Sequence, residues 1–276
     1  GYDMRHKKDN TRWRRLGNWQ LSWVIILMVI VAGVGMVNSQ QLLLNNARTL
    51  GSNLVASFSN DEDSQLSEYD RILAMAMYYM EDLGQDSADI QVFQTWLADF
   101  FEKSTTLLHA ESLDLYAVLN GQFISAGGDE HLNYDYQSES WYQQALAADG
   151  KVIYTDAYPS SRHNGRLVVT AAVSAAGSDN AIAFDVPVEY FRADHTVQDL
   201  PAGGAYYVLD TQGSLLYYNI PFQATEEELQ VYTKELFDRV NRGELDGKDN
   251  EIIGMQKLTR GLYYQHAANG WLCILT

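Results

Sequence analysis

The sequence predicts an α+β chain: an apolar helix, then a long helix, then two mixed sheet units in tandem. Three observations predict it. Residues 21–37 form an apolar run without a charged side chain, preceded by six basic residues. Residues 39–83 contain no proline, and their apolar positions recur at helical spacing. Beyond residue 113, short β-rich runs alternate with turn formers, and that pattern restarts on a smaller scale after Pro201.

The 276 residues are 46% hydrophobic and 12% aromatic, enough to bury substantial cores. A single cysteine, Cys273, excludes an internal disulfide framework and a thiolate zinc cluster. The six histidines lack ligand spacing, so neither a metal nor a cofactor is expected. The net charge of −17 is unevenly spread: residues 1–37 carry six Lys/Arg against two Asp/Glu, leaving 13 against 34 for the rest. A body this acidic repels nucleic acid and accumulates cations.

Arg5, Lys7, Lys8, Arg12, Arg14 and Arg15 make residues 1–20 a basic N-terminus ahead of the apolar run at 21–37. Trp19 and Trp23 suit the membrane interface, and the run is long enough to span a bilayer. A cleaved signal peptide is the competitor, with Gly33-Val34-Gly35 as small residues, but such apolar cores are shorter. An uncleaved anchor is favoured, and its flanking charges place residues after 38 outside the cytoplasm.

Residues 38–84 read as a stalk helix. Leu43, Ala47, Leu50 and Leu54 form one seam suited to pairing with a second copy. Leu66, Tyr69, Leu73, Ala76 and Met80 continue a helical stripe that Gly84 ends. A second helix, capped by Asp86 or Ser87, carries Phe93, Trp96, Leu97, Phe100 and Phe101 on its apolar side. A strand at 113–119 turns at Asn120-Gly121 and returns through 122–126. After a short helix around Trp141, strands at 152–158 and 167–174 flank the turn 161–165, and 177–180 turns into the strand that ends near Asp185. Pro187 opens a short helix, and 199–204 reads as a linker.

The smaller unit offers strands at 205–210 and 215–218, and a helix from Thr225 with three acids in its first turn. Strands at 251–258 and 262–267 flank Thr259-Arg260-Gly261, and an apolar strand from Gly270 closes the chain. That apolar ending suggests a second membrane helix beyond it.

Between Tyr134 and Asp185, aromatics with polar tips gather with carboxylates among strands that must pair. Such a set suits a pocket for a polar or cationic organic molecule; the alternative is ordinary core aromatics in a half-buried sheet. Asp156 and Asp185 could also pair as general acid and base, but no nucleophile elbow, phosphate loop or zinc helix accompanies them. Arg162, His163 and Arg166 form a basic island suited either to an anionic ligand group at the rim or to a solvated turn. Gly127-Gly128-Asp129-Glu130 matches four-fifths of the diguanylate cyclase signature, but His131 replaces its Phe; a turn-rich loop is favoured.

Over residues 39–276 the chain resembles the double Cache sensor region of bacterial membrane receptors. The resemblance rests on Trp141-Tyr142, on Tyr154 to Asp156, on Asp185, and on Gly270-Trp271. It implies two PAS-like domains on one long helix: a membrane-distal ligand-binding domain at 85–198 and a membrane-proximal one at 199–276. It also implies a bacterial cytoplasmic membrane location and a cytoplasmic output module such as a histidine kinase or diguanylate cyclase, while the seam from Leu43 to Leu54 implies a homodimer through the stalk. Catalysis is not expected in the region present.

In the amino-acid-binding members, a Tyr seven before the Trp, an Arg two before it, the Trp-Tyr pair and a late Asp form the motif. Tyr134, Trp141, Tyr142 and Asp185 match, whereas Glu139 stands at the Arg position. Glutamate there repels a carboxylate, so the expectation is an amine or amino-acid-like cation held by Tyr134, Glu139, Trp141, Tyr142, Tyr154, Asp156 and Asp185. Tyr116, Arg162 and Arg166 are expected at the rim. The competing placement has Glu139 facing solvent at its helix start. The rival functions are a ligand-free dimerisation ectodomain and an extracellular enzyme.

Overall fold

The computed structural model describes residues 5–84, 90–108, 114–128, 133–189 and 200–276. The chain divides into two units, residues 1–50 and 51–276. Within the first unit, helix α1 (Arg5–Gly84, which runs on into the second unit) carries exposed Trp23, Ile25, Leu27, Val29 and Val31. Among the described residues this is the one helix long and apolar enough to cross a membrane, with a mean hydropathy of 2.1 over its best window. Leu43, Ala47 and Leu50, from the expected pairing seam, are also exposed.

The second unit carries two antiparallel sheets. Its share of α1 buries the expected stripe: Leu66, Tyr69, Leu73, Ala76 and Met80 all lie in the core. Helix α2 (Ile90–Leu108) buries Phe93 and Leu97, while its Trp96 stacks on Tyr79 of α1 at 4.1 Å between ring centres. The cap expected at Asp86 or Ser87 lies outside the described residues, as does most of the short helix expected after Pro187.

The first sheet, called distal after its expected placement, comprises β1 (Asp114–Leu119), β2 (Gln122–Ser125), β3 (Ile153–Tyr154), β4 (Tyr158–Pro159), β5 (Leu167–Ser174) and β6 (Ala181–Pro187). Its order is β2-β1-β6-β5-β3, with β4 also on β5. The Asn120-Gly121 hairpin forms as expected, with both residues at positive φ, 50° and 77°. The single strand expected at 152–158 is instead two short pieces with a break at residues 155–157.

Alternation along these strands separates two chemistries. Leu115, Ala117 and Leu119 of β1, Ile182, Phe184 and Val186 of β6, and Val169, Ala171 and Val173 of β5 join the core that contains α1 and α2. On the opposite face Tyr116, Val118, Ala172, Ala181 and Ala183 pack with helix α3 (Ser140–Ala148) through Trp141 and Ala145. Strict period-two alternation fixes which side chains can meet a ligand on that face.

The second sheet, called proximal after its expected placement, runs β8-β7-β11-β10-β9, from β7 (Tyr206–Leu209), β8 (Leu215–Asn219), β9 (Asn250–Ile253), β10 (Thr259–His266) and β11 (Leu272–Leu275). Helix α4 (Glu226–Asn241) starts in a capping box: Thr225 Oγ1 accepts from Glu228 N, and the Glu228 carboxylate accepts from Thr225 N. One turn differs from expectation. Thr259, Arg260 and Gly261 lie inside β10, and the reversal occurs at residues 254–258, where Lys257 takes φ 59° and Gly254 N donates to Leu258 O. The run 254–258 holds a glycine and no β-branched residue, so it bends more readily than Thr259 does.

Gly51 lies against the Tyr263 ring; a Cβ there would stand 2.3 Å from a ring carbon. Gly51→Ala should therefore lower stability by roughly 1–3 kcal/mol through overpacking, despite its better helix propensity. Thermal melting of the two proteins checks this, and an unchanged or higher midpoint contradicts the packing.

Candidate functional site

The site lies on the α3 face of the distal sheet. Asp114 of β1 and Asp185 of β6 are direct partners in the ladder, and Thr170 of β5 is the partner of Asp185 on its other side. Three polar side chains thus share one rung and one face, all buried. Tyr116, two residues along β1 from Asp114, points the same way.

Each group on the rung is held. Asp185 Oδ1 accepts from Tyr116 Oη at 2.6 Å and from Thr170 Oγ1 at 2.7 Å. Asp185 Oδ2 faces His163 Nε2 at 3.1 Å. Asp114 Oδ2 accepts from Ser125 Oγ at 2.7 Å and pairs with Arg162 Nη2. Arg162 also donates to Ser125 Oγ at 3.2 Å, and its Nη1 lies 4.0 Å from Asp185 Oδ2. Its guanidinium lies over the Tyr116 ring at 4.2 Å, with the Phe123 and Tyr134 rings at 4.9 and 5.4 Å.

Helix α3 and its approach close this face. A 3-10 turn over Tyr136–Ser138 brings Tyr134 back to Trp141, whose Nε1 donates to Tyr134 Oη at 3.0 Å. Trp141 packs edge-on to Tyr116, with ring centres 5.1 Å apart. The small Ala172, Ala181 and Ala183 leave room for the indole. Ser174 Oγ donates to Ala145 O at 2.9 Å and ties α3 to β5.

Burial dominates the proton affinities here. It pushes the Tyr116 and Tyr158 hydroxyls well above the ordinary phenol range, and Asp185 adds to both. Tyr134 is raised mainly by burial as well. The Glu139 carboxyl is raised, first by burial, then by Asp185 and Asp135, against lowering by Ser161 and Arg162. Burial is the largest single influence on Arg162 and works against its charge, but Asp114, Tyr116 and Asp185 together outweigh it and hold the guanidinium more firmly protonated than usual.

The expected residues divide into two groups. Tyr134, Glu139, Trp141 and Asp185 converge, together with Tyr116 and Arg162. Glu139 is half-buried as the N-cap residue of α3, within electrostatic reach of Asp185, so it does not simply face solvent. Arg162 is not at a rim: only 2% of its side chain is exposed. Arg166 is outside, paired with Glu189. Tyr142 lies at the far edge of the cluster, its hydroxyl on Asp179 O at 2.7 Å.

Tyr154 and Asp156 do not share the site. Tyr154 is the ladder partner of Ala171 and therefore faces the helices, where its hydroxyl meets Leu66 O at 2.6 Å and the Asp70 carboxylate. Asp156 accepts from Thr211 N at 3.0 Å and Thr211 Oγ1 at 2.6 Å in the proximal domain. The acid–base pairing of Asp156 with Asp185 is accordingly not formed. Asp114, Ser125, Tyr158 and Thr170 belong to the site and were not anticipated. The available signal was an acid two residues before Tyr116 in an otherwise apolar strand. Among the described residues no cluster of metal-ligating side chains occurs. Gly127 and Gly128 sit in the turn after β2, and Asp129 and Glu130 lie outside the described residues.

No family model matches the sequence. No curated protein matches it either. Solved structures do match its fold. The sensory domain of the Campylobacter jejuni chemoreceptor Tlp3 with isoleucine bound aligns at TM-score 0.59 and 15% identity, over 86% of this chain and 94% of that one. The ligand-binding domain of the Pseudomonas aeruginosa PAO1 amino acid chemoreceptor PctC in complex with GABA aligns at 0.57 and 14%, over 83% and 98%. A methyl-accepting chemotaxis protein X aligns at 0.54 and 16%, over 86% and 98%. The fold expected from the double Cache resemblance, a long helix bearing two sheet domains, is the fold of these sensory domains.

Tyr116→Phe removes the buried donor to Asp185 while keeping the ring under Arg162. It should cost about 1.5–3 kcal/mol, the range for a hydrogen bond to a charged group. Urea unfolding measures it, and a loss below a few tenths of a kcal/mol would show that the contact does not hold Asp185.

Proposed function

We propose that this chain is the extracytoplasmic sensor portion of a transmembrane signalling receptor. Its distal domain, residues 85–198, holds a small molecule bearing an ammonium group. The observation that carries this is the buried rung of Asp114 and Asp185 beneath an aromatic wall, with Glu139 as a third acid beside them. Three carboxylates face one guanidinium there, so the site favours an incoming cation. The aromatic faces of Tyr116, Tyr134 and Trp141 suit the same charge. The fold likeness supports the reading, since Tlp3 and PctC were solved with isoleucine and GABA, both of which carry an amine.

In this reading residues 21–37 cross the bacterial cytoplasmic membrane, residues 38–84 form the stalk, and residues 199–276 form the proximal domain. The exposed seam of Leu43, Ala47 and Leu50 pairs two copies. Ligand shifts the receptor only if it binds one arrangement better than the other. The segment 154–158 suits transmission, because successive residues touch different bodies. Tyr154 meets the stalk helix, Asp156 meets Thr211, and Ala157 N donates to Asp210 at 2.9 Å. Tyr158 Oη and Thr170 Oγ1 lie 2.6 Å apart, and Thr170 in turn donates to Asp185. The region present binds and relays; any catalysis belongs to an output module on the cytoplasmic side.

A melting screen of the chain against amines and amino acids should give a specific rise in midpoint. Asp185→Asn should abolish that rise, whereas Asp156→Asn should leave the ligand affinity within about threefold, since Asp156 lies outside the cluster. A rise that survives Asp185→Asn, or one lost with Asp156→Asn alone, contradicts the assignment.

A further inference from the structure

We infer that the proximal domain carries a second binding site, of opposite charge preference to the distal one: a cleft around Arg260 that takes a small organic monocarboxylate with an apolar body. The sensing role proposed above does not require this site, and the two stand or fall separately.

The cleft is open, with a volume of about 280 Å³, and is lined from β7, the β9–β10 turn and α4. Its walls are Tyr207, Phe222, Tyr232, Met255 and Leu258, and among the described residues its one charged side chain is Arg260. No acid lines it, although residues 38–276 carry 34 Asp/Glu against 13 Lys/Arg. The sheet register accounts for that. Arg260 is the ladder partner of Ile252 and stands two residues from Leu262, so it projects from the α4 face, where both belong to the core. The acid of β9, Glu251, is the partner of Gly261 and projects from the opposite face.

The arginine lies in a prepared bed. Its stem passes Gly254, where a Cβ would stand 3.2 Å from Cγ, and its guanidinium lies against Gly203, where a Cβ would stand 2.6 Å from Nη2. Gly203 also takes φ 76°, a conformation that favours glycine. Two glycines thus make room for one half-buried guanidinium that, among the described residues, has neither an ion pair nor a hydrogen-bond acceptor. Tyr232 offers a second donor, since its hydroxyl reaches Ile253 O only at 3.5 Å, the limit of a hydrogen bond. Burial, with Glu235 adding and Arg239 opposing, pushes that phenol up to about 12, so it keeps its proton at neutral pH. A guanidinium without an acid is the natural partner of a carboxylate, and the aromatic and aliphatic walls suit an apolar body behind it. One guanidinium balances one negative charge, and the walls offer nothing to a second.

The test compares acids with their uncharged amides on the full chain by calorimetry: benzoate with benzamide, phenylacetate with phenylacetamide, butyrate with butyramide. Inorganic phosphate serves as an anion without an apolar body. At least one carboxylate should bind about tenfold or more tightly than its amide and than phosphate, the scale of one charge-assisted contact. Arg260→Gln should abolish that margin by weakening the acid and sparing the amide. Leu258→Asp sets an acid in the wall at a position 56% exposed, where the fold tolerates it, and should abolish the margin as well. Acids binding no better than amides or phosphate, no binding by any probe, or a margin that survives either variant overturns the site.

Discussion

Two carboxylates opposed across one rung of a sheet are the constraint that the distal domain is built to satisfy. Asp114 and Asp185 are direct partners between β1 and β6, and both are buried. Like charges so placed repel, and burial removes the water that would screen them. Arg162 answers one carboxylate; Tyr116, Thr170 and His163 answer the other. The arginine reaches its place on a tight turn over residues 160–166, closed by Gly165 N on Ser160 O at 2.9 Å. Asn164 and Gly165 there take φ of 54° and 77°, conformations open to few other residues. A turn of this shape projects a long cationic side chain inward without spending a strand on it.

Around this rung the sheet keeps its two faces chemically distinct. The helix face is filled by Leu, Ile, Val and Phe against α1 and α2, which supplies the hydrophobic stabilisation. The other face carries alanines under Trp141 and reserves its polar groups for one end. Had larger residues stood at Ala172, Ala181 and Ala183, α3 would ride higher and Trp141 could not reach Tyr116. The size of three small residues therefore sets how closely the indole approaches the charged rung.

Much of the fold was legible in the sequence because its signals are local and periodic. The stripe from Leu66 to Met80, the Asn120-Gly121 hairpin and the Thr225–Glu228 capping box all appear where spacing placed them. The site was legible only in part. Trp141 and Asp185 stand out because an indole opens a short helix among polar-tipped aromatics and an acid ends an apolar strand, whereas Asp114 is hidden in a hydrophobic run. The sequence points Arg162 to the rim because a cation in a polar turn is ordinarily solvated. Only the fold reveals that this turn lays the Arg162 guanidinium over the Tyr116 ring. Tyr154 and Asp156 looked like equal candidates because the break between β3 and β4 leaves no trace in composition. After two residues of ladder, alternation no longer predicts direction.

That break also carries the chain's most economical piece of construction. A continuous strand over 152–158 would send its side chains alternately to the helix face and the site face and nothing else. Interrupting it after Tyr154 frees Asp156 and Ala157 to meet the proximal domain, through a reciprocal exchange in which each side supplies one aspartate, Asp156 and Asp210. Thr155 keeps the segment in register, its Oγ1 accepting from Thr170 N at 2.9 Å and its N donating to Thr170 O at 2.9 Å. Thr170 is the same residue whose hydroxyl holds Asp185. The carboxylate at the site and the joint between the domains are thus separated by two threonines and no flexible side chain. The path from Asp185 to Thr211 runs through hydrogen bonds to backbone or to β-branched residues, which have few rotamers to change.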